Sequence, residues 1–140
     1  MSESVHKEFH PREVELAREL HEQEDWVWNI QTGDWFYGGG THHVVLRTEE
    51  LSGKTYLYTP NENSFELSDV VPLRHRVDCR EWLMENGWDL DAENLAEGAV
   101  RVSAHRRQTD FKVERTEPTE LAAIYSVMLE VNNMIHFGWA

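Results

Sequence analysis

Cysteine is nearly absent: Cys79 is the only one in 140 residues. A lone thiol excludes an internal disulfide and a cage of cysteine ligands around a metal. A reducing, cytoplasmic setting is the expectation that follows. Lysine is almost as scarce, with only Lys7, Lys54 and Lys112. Bases total 13 against 26 acids, for a formal net charge of −13. That balance speaks against nucleic acid as a partner, because affinity for DNA comes mainly from neutralising phosphates. A band of carboxylates that mimics nucleic acid and occupies a basic protein is the sharper reading of the acidity. A solvated acidic surface is the plainer one. No apolar run approaches the roughly 20 residues that cross a bilayer. Residues 1–8 lack the apolar stretch of a signal peptide, so no membrane association is expected. Linkers, repeats and low-complexity segments are missing too, which predicts a single domain over 1–140 with residues 1–10 flexible. At this length folding buries roughly 68% of the unfolded surface, so the core needs no staple.

What is present is concentrated between Trp26 and Val45. Three of the six Trp, the run Gly38-Gly39-Gly40 and the pair His42-His43 fall there. Thr32-Gly33 suits a two-residue turn between β-prone runs. In that register Ile30 faces Trp35 and Trp28 faces Tyr37. Trp26, Trp28, Ile30, Trp35 and Tyr37 then share one face, since side chains alternate along a strand. The triple glycine reads as a flexible connector rather than a phosphate loop, because a β-branched strand follows it and not a helix.

Elsewhere the pattern alternates between helices and hairpins. Pro11 suits the first position of a helix reaching about Glu24. A strand over 42–48 and another over 54–59 flank a four-residue turn at 50–53. That loop length sets Leu46 opposite Leu57, and Arg47 opposite Tyr56. A central helix runs from about Val77 to Asn86, with Cys79, Trp82 and Leu83 inward and Gly87 as its cap. Residues 91–96 read as a further helical turn. Residues 99–106 and 110–115 form a second hairpin, with Val102, Ala104, Phe111 and Val113 packed. Thr116-Glu117-Pro118 starts the last helix, whose stripe is Leu121, Ile124, Tyr125, Met128 and Val131. The apolar tail from Met134 onward is expected to dock on its own domain or on a second copy. The predicted class is α+β: a mainly antiparallel sheet of about six strands in hairpins, packed with N-terminal, central and C-terminal helices.

Few residues carry chemistry. No nucleophile, base and orienting group stand together as a hydrolase needs, so no catalytic residue is assigned. No metal or cofactor site is legible either. His42 shares a strand face with Val44 and Leu46 and reads as a core histidine. His43 shares the other face with Val45, Arg47, Tyr56 and Tyr58. That mixture of aromatic planes and a cation suits an anionic or planar ligand. Two basic clusters, Arg74-His75-Arg76 with Arg80 and Arg101 with His105-Arg106-Arg107, could clamp a carboxylate or phosphate in bidentate fashion. Their plainer reading is pairing with neighbouring glutamates. The expected ligand site is therefore His43, Arg47, Tyr56, Tyr58, Arg74 and Arg106.

The helix Glu81-Trp82-Leu83-Met84 ending at Gly87, then a hairpin, then Glu120-Leu121-Ala122-Ala123, resembles the layout of many small uncharacterised proteins of phages and other mobile elements. The resemblance spans about residues 70–132. It implies an accessory protein and carries over no functional residue. Three functions follow as expectations. The first is a non-enzymatic interaction or small-ligand-binding protein, homodimeric, with a protein partner or a small planar or anionic ligand. The second is a small enzyme acting on an anionic substrate. The third is the acidic mimic.

Overall fold

The computed structural model describes residues 9–23 and 30–136. These form three helices and nine antiparallel strands in three small sheets, an α+β fold. The first helix is α1 (Pro11–His21). Six strands follow: β1 (Trp35–Gly38), β2 (Thr41–Val44), β3 (Arg47–Leu51), β4 (Lys54–Tyr58), β5 (Ser64–Glu66) and β6 (Val71–Leu73). Then come α2 (Arg76–Glu85), the strands β7 (Trp88–Asn94), β8 (Val100–Arg106) and β9 (Lys112–Glu117), and α3 (Glu120–His136). The strand orders are β2-β1-β6, β3-β4-β5 and β7-β8-β9. The strands thus exceed the six expected. No helix among the described residues is long and apolar enough to cross a membrane.

The centre of the fold is α3. Every residue from 121 to 128 is buried, which only a helix packed on all sides can do. It contacts α1, α2, β8 and β9. Thr119 caps it, accepting from Ala122 N at 3.1 Å and donating to Glu13 of α1 at 2.5 Å. Glu13 also accepts from His10 N at 2.9 Å, closing a capping box. One buried carboxylate therefore serves the starts of two helices. Arg12 adds a two-pronged pair to Glu117, at 2.8 and 3.1 Å. Phe9 is 4% exposed and belongs to the main core, directly before this cap.

The sheet β2-β1-β6 lies between two cores. Trp35 and Tyr37 share one face and pack on the main core, with Val71 and Leu73 beside them. Phe36, on the opposite face, joins a smaller cluster with Val45, Leu57 and Val70, flanked by Ile30, Phe65 and Leu67. Both edges of β1 are taken, by β2 and by β6. A strand has two edges, so the expected pairing of Ile30 with Trp35 is replaced. Ile30 instead packs on the Phe36 side. The turn itself forms at Gln31–Asp34, with Asp34 N bonded to Gln31 O at 3.0 Å and Gly33 at φ +93. Trp26 and Trp28 lie outside the described residues.

Further elements differ from the expected ones. The run 42–48 is two strands, broken at Val45-Leu46. The β3–β4 turn has two residues, Ser52 and Gly53 at φ +55 and +80, so Arg47 opposes Tyr58 and Thr48 opposes Leu57. Residues 91–96 are not a helical turn: β7 runs through Asn94, paired with β8. Phe111 is 43% exposed and sets its ring edge on Trp88 at 6.2 Å. The last helix extends to His136 and buries Met134; residues 137–140 lie outside the described residues. Gly39 and Gly40, at φ +60 and +84, form the tight turn joining β1 to β2 in place of a flexible connector.

Candidate functional site

The inner face of β1–β2 meets α1 at a cleft of about 660 Å³. Helix α1 presents Val14, Glu15 and Arg18 to it, and the hairpin presents Trp35, Tyr37, Gly40, Thr41 and His42. Phe9 closes one end, with its ring 5.7 Å from His42 and 6.1 Å from Trp35. Tyr37 stands edge-on to His42 at 5.2 Å. The volume falls in the range of small-molecule sites, and the rings of Phe9, Trp35, Tyr37 and His42 share the lining with the polar side chains of Glu15, Arg18 and Thr41.

Three of the polar groups are hydrogen-bond donors. Arg18 has no ion pair among the described residues. This sets it apart from Arg12, Arg76, Arg80, Arg101, Arg107 and Arg115, each within 4.0 Å of a carboxylate. The hydroxyls of Tyr37 and Thr41 also lack a hydrogen-bond partner among the described residues. All three groups can donate. Glu15, the acid on this wall, is engaged by Arg12.

Two neighbouring clefts differ in kind. One of about 350 Å³ shares Arg18 and Tyr37 and runs past Gly38-Gly39 to His21, Glu22, Ser68 and Asp69. Burial holds the His21 imidazole down at about 4 against a bond to the Pro72 carbonyl, so it is uncharged at neutral pH. The other, about 890 Å³, lies where the starts of α1, α2 and α3 meet. It is larger but chemically spent. Glu13 is doubly bonded there, and Glu120 takes Arg76 at 3.1 Å and Arg80 at 2.8 Å.

The six residues expected to form a site are distributed as follows. Arg47, Tyr56 and Tyr58 share one face of the sheet β3-β4-β5. The Arg47 guanidinium lies 3.9 Å from the centre of the Tyr58 ring, and Glu49 takes the Tyr58 hydroxyl at 2.9 Å. That bond to Glu49 raises the Tyr58 phenol above its ordinary range. His43 is on a different sheet, stacked on Phe36 at 5.2 Å and 4.8 Å from Phe65, with its Nε2–H donated to Gly38 O at 3.2 Å. Arg74 lies at the end of β6, its main chain held by Tyr125. Arg106 ends β8, opposite Trp88. The two basic clusters do not pool their charge: Glu120 takes Arg76 and Arg80, Asp78 lies 3.9 Å from Arg74, and Glu93 and Asp89 take Arg101 and Arg107.

His42 and His43 thus exchange the expected settings. His42 lines the cleft, and His43 packs in the smaller core. In the sequence Arg18 lies among the charged faces of α1 and is not distinguished from its neighbours there. Its position four residues after Val14 and three before His21, at the border of the apolar stripe, was the available signal. Among the described residues, no group of three or more His, Cys, Asp or Glu could hold a metal ion. Comparison with protein-family models, with curated proteins and with solved structures finds no match to this chain.

Proposed function

We propose that this protein is a non-enzymatic binding protein for a small aromatic molecule bearing an anionic group, held between α1 and the β1–β2 hairpin. One observation carries the reading: Arg18, without an ion pair among the described residues, lines a cleft walled by Trp35, Tyr37, Phe9 and His42. An aromatic ring finds stacking planes there, and an anion finds a guanidinium with two hydroxyl donors. The walls are built on a helix and a strand paired on both edges, which favours a preformed site.

An enzyme is the less supported reading. Cys79, the one thiol, is buried on α2, and burial pushes it up, away from the reactive thiolate form. The cleft holds Arg18, His42 and the Thr41 hydroxyl, but that hydroxyl has no hydrogen-bonded base among the described residues to activate it.

Isothermal titration with indole-3-propionate tests the proposal. Saturable binding is expected, weakened roughly 10- to 100-fold in Arg18→Gln, the range for losing a hydrogen bond to a charged group. Absence of saturable heat, or equal affinity in the variant, would refute it.

A further inference from the structure

We infer that the ligand is a small aromatic zwitterion of the α-amino-acid class, bound across the wall that the 660 Å³ and 350 Å³ clefts share. This deepens the binding reading above and rests on it. The wall consists of Arg18 and Tyr37, which line both clefts. On one side lie the aromatic planes of Trp35, Phe9 and His42. On the other lie two exposed carboxylates, Glu22 and Asp69.

Glu22 and Asp69 have no cationic partner among the described residues, and Arg18 has no anionic one. Opposite charges therefore line one cleft, with no ion pair joining them among the described residues. A purely anionic ligand on Arg18 would feel Glu22 and Asp69, and like charges brought together oppose binding. It would also approach against a net charge of −13. A cationic amine would satisfy the acids and leave Arg18 bare. A ligand with a carboxylate and an ammonium on one carbon meets both needs. Its net charge is zero, and its ring goes to the aromatic side. His21 lines the ammonium side but is uncharged at neutral pH, so it adds no repulsion.

The experiment is calorimetry at pH 7 with three probes sharing one ring. L-Tryptophan carries both charges, indole-3-propionate lacks the ammonium, and tryptamine lacks the carboxylate. L-Tryptophan is expected to bind at least 10-fold more tightly than either of the others. Its advantage over indole-3-propionate is expected to vanish in the double variant Glu22→Gln/Asp69→Asn. Both positions are exposed, and circular dichroism confirms that the variant is folded. If indole-3-propionate binds as tightly as L-tryptophan, the zwitterion inference falls while the anion reading stands. Tryptamine binding tightest, or an advantage that persists in the double variant, overturns it as well. If none of the three binds, both readings fall together.

Discussion

Replacing Tyr125 with Phe removes one oxygen from the centre of the molecule and tests how β6 is held on α3. Tyr125 is fully buried, and its hydroxyl does two things at once. It accepts from Arg74 N at 2.8 Å and donates to Arg74 O at 2.7 Å. A side chain thus serves a main-chain segment just after β6, where the sheet has ended. Burial raises the phenol well above its ordinary range, so the group stays a neutral donor throughout the usable pH range. Phenylalanine keeps the ring and leaves no large cavity, so the loss is polar rather than volumetric. Two hydrogen bonds go, at about 1 kcal/mol net each, and the stranded Arg74 N–H and C=O raise the total to about 2–3 kcal/mol. Urea denaturation read by circular dichroism measures this, with an unchanged slope showing that the unfolded state is not altered. A loss below about 0.5 kcal/mol would refute the argument, because it would mean that water satisfies Arg74 without the phenol.

Two further outcomes follow from burial. The neutral state of His21 gives a pH dependence of known sign: its folded value near 4 lies below the unfolded 6.5, so its contribution is present above pH 6.5 and lost as pH falls toward 4. Between pH 7 and 5 the wild type should lose about 2 kcal/mol more than His21→Gln, and parallel stability curves for the two would contradict the assignment. At Gly38 an added Cβ would lie 2.7 Å from Val70 Cγ1, inside the smaller core. Gly38→Ala should cost about 1–3 kcal/mol, most of it recovered in Gly38→Ala/Val70→Ala; additive losses would show that the contact is not the cause.

The parts of the fold that were legible carried local chemical signals. Pro11 opened α1 where expected, and Gly87, at φ +91, capped α2. The stripe of α3 was visible, though not its burial on every side, which depends on elements distant in sequence. Strand β7 was missed because Asp91, Ala92 and Glu93 suit a helix locally, while pairing with β8 decides the matter. Strand β6 carries no clear local signal: Pro72 blocks a long helix there and is uncommon within a strand. Proline is tolerated there since β6 is the edge of its sheet. The β3–β4 register slipped because Ser52 adopts a positive φ that its residue type does not advertise. The candidate site shows the same divide. That Trp35 and Tyr37 share a face followed from strand parity. That β1 is covered on both faces did not, and this places His43 in a core and His42 at a cleft. Arg18 is distinctive only through its lack of an ion pair among the described residues, which no local sequence signal carries.

The most direct test of the account is where a bound ring lands. A titration of the ¹⁵N-labelled protein with L-tryptophan, followed by amide and arginine side-chain resonances, reads this. Saturable shifts at Arg18, Trp35, Tyr37, Gly39 and Gly40 are the predicted result. Shifts confined to the Arg47, Tyr56 and Tyr58 face of the β3-β4-β5 sheet, or none that saturate, would contradict it.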